Sequence, residues 1–315
     1  MQVVHGHQLA SWAGAAVAIG NFDGVHAGHR ALVARAIELA RANDLQAVAL
    51  TFDPHPSAVV GQGAPPRVSS LARRCELLAA LGLDAVVVEP FTRDLAALAP
   101  EVFVDQILLG ALHARAIVVG YDFHYGCARG GSIDTLRAHG ARTRTEIAIV
   151  DAVEVDGVVA SSSKIRAALE AGDVATAQRL LGRPWDIDGT VIHGAKRGRA
   201  IGIPTANIAP ASDLPLALGI YACTLAVDRG PALPAVASLG TNPTFVAGGP
   251  PVLEVHVLDW DGDLYDREVR ITFVARLRDE LKFDSVNALL AQIRSDIADA
   301  RAVLARSSAG APTKF

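Results

Sequence analysis

The stretch from Ala18 to His29 reads AIGNFDGVHAGH, and its pattern indicates the fold class of the first half of the chain. An apolar run typical of a buried strand ends at Gly20, a turn containing glycine follows, and a helix-forming stretch begins near Gly28. A buried strand that turns into a helix is the first unit of a parallel sheet covered by helices. Such sheets bind ligands at the carboxyl ends of their strands, which is where His26 and His29 lie.

The following segments repeat this alternation of strand and helix. Four more apolar runs with little polar alternation predict buried strands: AVALTF (47–52), AVVVEPF (85–91), AIVVG (116–120) and TEIAIV (145–150). The stretches between them are rich in helix formers: HRALVARAIELARAND (29–44), SLARRCELLAALG (70–82) and PEVFVDQILLGALHA (100–114). We therefore predict an α/β domain over residues 1–183, a doubly wound parallel sheet of the nucleotide-binding type.

The sequence changes in character after Arg183-Pro184. The segments there are rich in β-branched residues and bounded by Gly, Pro, Asn and Asp: GTVIHG (189–194), GIYACTLAV (219–227), PAVASLG (234–240), PVLEVHVLDWDGDLYD (251–266) and EVRITFVARL (268–277). Their spacing predicts a small antiparallel barrel or sandwich. An amphipathic stretch from Ser285 to about Leu304 predicts a closing C-terminal helix. We assign residues 184–315 to this second domain.

Composition narrows the class of protein. The chain has 315 residues, of which 51% are hydrophobic, and this is enough for two cores. The formal net charge is −4; residues 1–183 hold 16 Lys and Arg against 18 Asp and Glu, and residues 184–315 hold 13 against 15. Neither half has the basic excess that binding to a phosphate backbone requires, which argues against nucleic acid as a partner.

Cysteine usage and hydropathy point to the cytoplasm. The three cysteines, Cys75, Cys127 and Cys223, are far apart, odd in number and form no C-x-x-C pair, as in proteins of a reducing compartment. No uninterrupted apolar run reaches the length of a membrane span, so we expect no membrane partner. The sequence leaves the oligomeric state open, a homo-oligomer included.

The histidines His26 and His29 are one helical turn apart at the predicted helix N-terminus. The first amides of a helix lack intrahelical partners, and the helix dipole favours negative charge. Imidazoles there can donate hydrogen bonds to phosphates and gain positive charge as an anion approaches. Alone, H-x-G-H is more often incidental, a metal pair or an ordinary helical turn, but the strand, turn and helix around it favour a phosphate site. The chain contains neither G-x-G-x-x-G nor a Walker A loop.

A second motif, ASSSKIRAAL (160–169), places three hydroxyls before Lys164 and Arg166 at a predicted helix start. Serines alone would be an ordinary helix cap. Followed by two basic residues, they predict a mobile clamp on phosphates. The two motifs together are much more specific for nucleotide chemistry than either motif alone.

These motifs resemble those of the bacterial bifunctional riboflavin kinase/FMN adenylyltransferase (FAD synthetase) family. The adenylyltransferase module of that family is matched by GNFDGVHAGH (20–29), TFDPHP (51–56), VVGYDFHYG (118–126) and SSSKIR (161–166). The riboflavin kinase module is matched by HGAKRGRAIGIPTANI (193–208), GIYAC (219–223), LGTNPTF (239–245), LEVHVLDWDGDLYD (253–266) and LRDELKFDS (277–285). The matches follow the family's order from about residue 15 to about residue 305.

For the first domain, the resemblance implies transfer of an adenylyl group from ATP to FMN, which yields FAD and pyrophosphate. It implies that His26, His29 and Arg166 bind the ATP phosphates and act in catalysis. The other implied ATP-binding residues are Asn21, Asp23, Gly24, Ser161, Ser162 and Ser163, and the implied flavin-binding residues are Asp122 and Phe123. Considered alone, Phe123 would fit core packing equally well. Asp53 stands where the family usually has Glu, which leaves its role open.

For the second domain, the resemblance implies attack of the riboflavin 5′-hydroxyl on the γ-phosphorus of ATP. It implies that Thr205 and Asn207, which alternate on an extended chain, hold Mg²⁺, and that Glu254 is the general base. Arg278 is an implied flavin-binding residue. The implied ATP-binding residues are Gly194, Lys196, Arg199, Gly202 and Thr205. Outside this context the basic loop and Glu254 would most often be solvated.

Three functional hypotheses follow from the sequence. The leading one is a bifunctional enzyme that converts riboflavin to FMN and FMN to FAD. A kinase with a degenerate first domain is the second, and the intact His26, His29 and Arg166 argue against it. The third is a barrel that acts as a flavin sensor or a nucleic-acid-binding module. The acidic balance of residues 184–315 argues against a nucleic-acid-binding module, and Thr205, Asn207 and Glu254 together argue against a sensor.

Overall fold

The computed structural model describes residues 1–61, 63–194, 202–241 and 251–309, and the chain divides into two compact units. The first unit is Met1–Pro65 with Leu71–Ser162, and the second is Pro66–Ser70 with Ser163–Phe315. Residues 163–183 thus group with the second unit, whereas the change in sequence character predicts a domain limit at Pro184.

The first unit contains a six-stranded parallel sheet in the order β1-β4-β3-β2-β5-β6. The strands are β1 (Gln2–His5), β2 (Ala15–Ile19), β3 (Gln46–Asp53), β4 (Ala85–Pro90), β5 (Ala114–Gly120) and β6 (Glu146–Val150). The five predicted strands and the doubly wound sheet are confirmed. The sequence analysis missed β1 because it is a four-residue edge strand with a single buried residue, Val4.

Helices cover both faces of this sheet. They are α1 (Ala27–Ala42), α2 (Pro56–Val59), α3 (Leu71–Ala80), α4 (Arg93–Ala96), α5 (Pro100–Val102), which continues as a π-helix over Phe103–Ala111, and α6 (Ile133–Thr143). Val17 and Ile19 of β2 pack into the core on one face, and Ala16 and Ala18 pack into the core on the other. This two-sided burial is the reason why the strand sequence shows no polar alternation. A two-stranded ribbon, β7 (Glu154–Val155) and β8 (Val158–Val159), follows the sheet.

The second unit contains a closed antiparallel barrel in the order β10-β13-β12-β11-β14-β9. Its strands are β9 (Trp185–Ile192), β10 (Ala206–Pro210), β11 (Gly219–Val227), β12 (Ala232–Gly240), β13 (Val252–Val257) and β14 (Glu268–Arg278). The structure therefore decides between the two predicted alternatives in favour of the barrel. The associated helices are α7 (Ser162–Glu170), α8 (Val174–Leu181) and the closing helix α9 (Val286–Ala309).

The short segment Pro66–Ser70 belongs to the second unit through hydrogen bonds to β9. The buried indole Nε1 of Trp185 donates to the carbonyl oxygen of Val68 at 2.8 Å. The Ser70 hydroxyl donates to Oδ2 of Asp188 at 3.2 Å. Over the described ranges, none of the helices is both long enough and apolar enough to cross a membrane.

Candidate active sites

The first candidate site is built on the turn between β2 and α1. Gly24 has a φ of 81°, and Phe22 and Val25 also have positive φ values, 50° and 47°. A bulky residue such as Phe22 and a β-branched residue such as Val25 are strained at positive φ. Burial of both side chains in the core holds the turn in this conformation. The Asp23 side chain is buried, and the backbone carbonyl oxygen of Asp23 accepts a hydrogen bond from Ser162 Oγ at 2.9 Å. Asp23 and Gly24 therefore shape the turn, as the sequence suggests.

His26 is the N-cap of α1 through its side chain. Its Nδ1 accepts the backbone N–H of His29 at 3.4 Å. An accepting Nδ1 places the proton of the neutral ring on Nε2, which becomes the free donor. Gly28 makes room for this ring, because a Cβ at Gly28 would lie 3.2 Å from Cε1 of His26. The sequence predicted the helix start, but not that an imidazole caps it.

The rings of His26 and His29 stack, with their centroids 3.6 Å apart and an angle of 22° between their planes. Burial, and secondly the nearby Arg30, lowers the pKa of His26 to about 4. Burial is also the main cause that holds the pKa of His29 well below its ordinary range, followed by His26 and Arg74. Both rings are neutral near pH 7. Burial thus opposes the gain of positive charge expected from the sequence, and the rings act first as hydrogen-bonding groups.

This histidine pair lines a cleft of about 760 Å³ in the first unit, a volume typical of small-molecule sites. Of the predicted residues, Asn21, Ser161, Asp122 and Phe123 also line the cleft. Its aromatic lining consists of Phe52, Phe91, Phe103, Tyr121, Phe123 and Tyr125. The cleft therefore offers both a polar helix terminus and an apolar aromatic wall.

Phe123 packs in the core and also lines the cleft, so its flavin contact stays a prediction. Its ring stacks on Tyr125, with centroids 5.5 Å apart and planes 15° from parallel, and it packs against the core beneath the sheet. The exposed part of Phe123 faces the cleft. Core packing and ligand contact are therefore compatible at this position.

The three predicted clamp serines have different contacts. Ser161 lines the cleft, and Ser162 holds the turn through the carbonyl of Asp23. Ser163 Oγ accepts from Nη2 of Arg166 at 3.4 Å, and both of these residues belong to the second unit. The run of serines therefore serves partly as structure.

Sequence reasoning missed the groups that hold Asn21 in place. Oγ1 of Thr51 donates to the carbonyl oxygen of Asn21 at 3.0 Å, and the Asn21 amide lies 3.2 Å from Nε2 of His55. The buried Arg74 donates to Thr51 in turn, at 3.2 Å. Thr51 and His55 belong to the TFDPHP motif (51–56), but the motif does not show that these two residues contact the turn at Asn21. Arg74 carries no motif signal.

The second candidate site lies on the outer face of the barrel. The strand register pairs Asn207 of β10 with Glu254 of β13, and Glu254 with Ser238 of β12. Leu253 and Val255 on either side of Glu254 are buried in the barrel, so the Glu254 carboxylate faces outward. Cross-strand partners on one face lie within side-chain reach of each other. The structure thus brings together Glu254 and Asn207, which are 47 positions apart in the sequence.

Thr205 precedes Asn207 by two residues at the start of β10. Thr205 and Gly202 line a second cavity of about 290 Å³ in the second unit. His256 Nδ1 donates to the carbonyl oxygen of Pro204 at 2.7 Å, which fixes the segment that carries Thr205. This contact gives His256 a structural role.

The donor set around Asn207 fits magnesium. Thr205 and Asn207 supply neutral oxygens beside the Glu254 carboxylate, and Mg²⁺ prefers such hard donors together with phosphate oxygens. A Cβ at Gly194 would overlap the Asn207 amide, so only glycine leaves this amide its place. Among the residues described, no three His, Cys, Asp or Glu side chains gather into a metal site. Lys196 and Arg199 lie outside the described residues.

Arg278 is bound to the closing helix. Its Nε and Nη2 donate to the two carboxylate oxygens of Asp296 at 2.8 and 2.7 Å, and Nη1 donates to the carbonyl of Asp279 at 2.8 Å. The guanidinium carbon lies 6.0 Å from the centroid of the Phe283 ring. Three of the five N–H groups of the guanidinium are thus engaged within the protein. Its flavin contact stays a prediction.

Comparison with known proteins gives matches over both units. The family described as FAD synthetase matches residues 8–164, and the family described as riboflavin kinase matches residues 181–304. The bifunctional riboflavin kinase/FMN adenylyltransferase of Pseudomonas fluorescens is 39% identical over 310 residues, 98% of this chain and 99% of that protein. The protein of the same name from Listeria monocytogenes is 40% identical over 293 residues, 92% of each chain.

One solved structure is similar over almost the whole chain. A crystal structure titled as a macrolide-efflux protein, from Streptococcus pneumoniae, matches with a TM-score of 0.85 and 30% identity. It covers 96% of this chain and 99% of its own. The efflux function in its title is said of that protein alone, whereas the two family matches here both concern flavin enzymes.

Proposed function

The chain belongs to the bifunctional riboflavin kinase/FMN adenylyltransferase family, and we propose that each of the two reactions of this family takes place at one of the two candidate sites. It phosphorylates riboflavin to FMN with ATP, and it then transfers an adenylyl group from ATP to FMN, giving FAD and pyrophosphate. The proposal concerns which residues carry each step.

Adenylyl transfer takes place in the 760 Å³ cleft. A phosphate oxygen of FMN attacks the α-phosphorus of ATP, and the bond from that phosphorus to the β-phosphate oxygen breaks. Nε2–H of His26, the His29 ring and the first amides of α1 donate to the phosphate oxygens as charge shifts onto the leaving pyrophosphate. Neutral donors fixed in a buried turn need little reorganisation at that moment, which favours the transition state.

The remaining predicted residues of the first reaction have supporting roles. Asn21, Asp23 and Gly24 shape the phosphate-binding turn, and the Ser162 hydroxyl donates to the carbonyl oxygen of Asp23 within it. Ser161 lines the cleft and binds the leaving pyrophosphate. Ser163 and Arg166, which group with the second unit, remain phosphate-binding residues on the sequence resemblance alone. Asp122 and Phe123 contact the flavin, because they line the same cleft as the histidine pair.

Riboflavin phosphorylation takes place on the outer face of the barrel. Glu254 accepts the proton of the riboflavin 5′-hydroxyl, the oxygen attacks the γ-phosphorus of ATP, and ADP leaves. Thr205 and Asn207 would hold Mg²⁺, whose charge would offset that of the ATP phosphates. Gly194 leaves the Asn207 amide its place, and Lys196, Arg199 and Gly202 are the other residues proposed to bind ATP.

The proposal includes a cytoplasmic enzyme whose partners are riboflavin, FMN and ATP, without nucleic acid or membrane. The near-neutral charge of both halves and the separated cysteines support this assignment. Sedimentation of the purified chain would show whether it forms a homo-oligomer.

The observation that carries the proposal is the cross-strand pairing of Asn207 with Glu254 in one unit and the cleft-lining histidine pair in the other. The test is chromatography of reactions that contain the full chain, riboflavin, ATP and magnesium, followed by the His29→Ala and Glu254→Gln variants. We expect FMN first and FAD afterwards from the unchanged protein.

The two variants should separate the activities. His29→Ala should form FMN but no FAD, and Glu254→Gln should form FAD only from supplied FMN. General-base removal costs roughly 10²–10⁴-fold in rate, which chromatography resolves easily. Equal loss of both activities in either variant, or an unchanged kinase rate in Glu254→Gln, would contradict the assignment.

A further inference from the structure

Arg74 is a buried cation that neither reaction described above uses. Arg74 is only 3% exposed to solvent, although arginine is almost never fully buried unless its charge has partners. It lies on α3, next to Arg73, which forms an ordinary ion pair with Glu76 at 3.1 Å. Two adjacent arginines on one helix thus have different environments.

The contacts of Arg74 lead to the phosphate-binding turn. Its Nη1 donates to Oγ1 of Thr51 at 3.2 Å and lies 3.4 Å from the carbonyl oxygen of Phe52. Thr51 is fully buried, and its hydroxyl donates to the carbonyl oxygen of Asn21 at 3.0 Å. A hydrogen-bonded chain therefore runs from the guanidinium through one hydroxyl to the residue that begins the turn before His26.

The charge of Arg74 also acts on the histidine pair. Arg74 is among the groups that lower the pKa of His29, after burial and His26. Within the described chain, the residues that line the cleft include one arginine, Arg129, and no lysine. The cleft surface thus supplies little fixed positive charge for a triphosphate, and a permanent cation behind the turn adds to it.

We propose that Arg74 is a positioning residue for adenylyl transfer, which fixes the Asn21 turn through Thr51 and supplies positive charge behind the histidine pair. It acts through other groups, because it does not itself line the cleft. The inference rests on the assignment of this cleft to adenylyl transfer.

The test uses four variants of the full chain: Arg74→Met, Arg74→Lys, Thr51→Val and the control Arg73→Met, which removes the neighbouring part-buried arginine that pairs with Glu76. For each we would measure kcat and KM for ATP in FMN adenylylation, riboflavin phosphorylation by the same preparation, and the thermal unfolding temperature. We expect Arg74→Met to lower kcat/KM for ATP about tenfold or more while riboflavin phosphorylation stays unchanged. Arg74→Lys should recover much of the loss because it keeps the charge, and Arg73→Met should match the unchanged protein.

The outcomes separate this inference from the site assignment. If His29→Ala retains FMN adenylylation, the assignment of the cleft fails; if it abolishes adenylylation but Arg74→Met does not impair it, only the present inference fails. A purely structural arginine would lower the unfolding temperature and leave KM for ATP unchanged, with no recovery in Arg74→Lys. Should Arg74→Met not fold, Thr51→Val decides: a raised KM for ATP supports the inference, and an unchanged kcat and KM overturn it.

Discussion

Gly28 illustrates how one residue without a side chain controls the chemistry of its neighbours. It stands in the first turn of α1 with no requirement for a left-handed backbone, so alanine can adopt its conformation. The space that a methyl group would need is next to the His26 ring, at 3.2 Å from Cε1 and 3.5 Å from the carbonyl oxygen of Ala160. The glycine is therefore needed for the position of a ring and not for the turn.

We expect Gly28→Ala to separate stability from activity. Alanine favours a helix over glycine by up to about 1 kcal/mol, so the free energy of unfolding should not fall. FAD formation should fall because the His26 ring is displaced, while riboflavin phosphorylation is retained. Steady-state rates and urea unfolding of the same preparation would check this. A destabilised variant with normal FAD formation would contradict the stated reason for this glycine.

Among the helices, α1 links stability to pH through its cap. The folded pKa of His26 is about 4, and that of an unfolded histidine is about 6.5. Between these values the unfolded chain binds a proton that the folded chain does not. Stability is therefore fully present above about pH 6.5 and is lost as the pH falls toward 4, by about 1.4 kcal/mol per pH unit for each such histidine.

His26→Asn should weaken this dependence. Asparagine is a good N-cap, so the variant keeps an acceptor for the amide of α1 while it removes one titrating ring. Urea unfolding at pH 7.5, 6.0 and 5.0 should show a shallower loss of stability in the variant, with the remainder due partly to His29. The same slope in both proteins would mean that the His26 ring is protonated in the folded chain or solvated.

The closing helix α9 depends on the ion pair between Arg278 and Asp296. Asp296 is buried and also accepts from Nε2 of Gln292 at 2.9 Å. Asp296→Asn leaves the largely buried guanidinium without a counter-charge, and breaking such a pair costs about 3–5 kcal/mol. We expect a loss toward the lower end of this range, measured by urea unfolding followed by the fluorescence of buried Trp185.

A double variant provides the control for this prediction. Arg278→Met with Asp296→Asn should lose less stability than the sum of the two single variants, because no unpaired charge remains. Additive losses would show that the pair is not coupled. The KM for riboflavin of Arg278→Lys, compared with that of Asp296→Asn, would test the predicted flavin contact separately.

At the level of the whole chain, two sites in two compact units predict that two defective chains can complement each other. A mixture of His29→Ala and Glu254→Gln proteins should convert riboflavin to FAD, since the first releases FMN and the second adenylylates it. Neither variant alone should do so. Chromatography of the mixture measures the FAD formed. Accumulated FMN without FAD would contradict the prediction, provided that Glu254→Gln still converts supplied FMN.

The division into units also shows where the chain should not be cut. A fragment that begins at Pro184 would lack Val68, whose carbonyl accepts from the buried Trp185, and α8, which packs against β9 and β14. The change in composition at Pro184 marks the start of the barrel strands. It does not mark the limit of the compact unit, because helices that pack against a barrel have the same composition as helices that pack against a sheet.

Much of the fold was predictable because its signals are local. The five predicted parallel strands are continuous apolar runs, although β6 is a half-buried edge strand, and the helices between them and the closing helix have apolar residues at helical spacing. The edge strand β1 and the choice of barrel over sandwich were not predictable, because they depend on pairing between distant segments. The π-helix over Phe103–Ala111 replaces part of an expected α-helix, and nothing in its apolar pattern distinguishes the two.

The family, the two reactions and the segments that carry the candidate residues can be read from the amino-acid sequence, because phosphate-binding motifs are short and contiguous. The contacts of those residues depend on the folded chain. It makes His26 a cap with a lowered pKa, places Glu254 beside Asn207, and binds Arg278 to Asp296. It also shows the buried contact of Arg74 with Thr51. Burial, strand register and contacts between distant residues exist only once the chain is folded. These properties determine the protonation state of a side chain and the groups that it can contact.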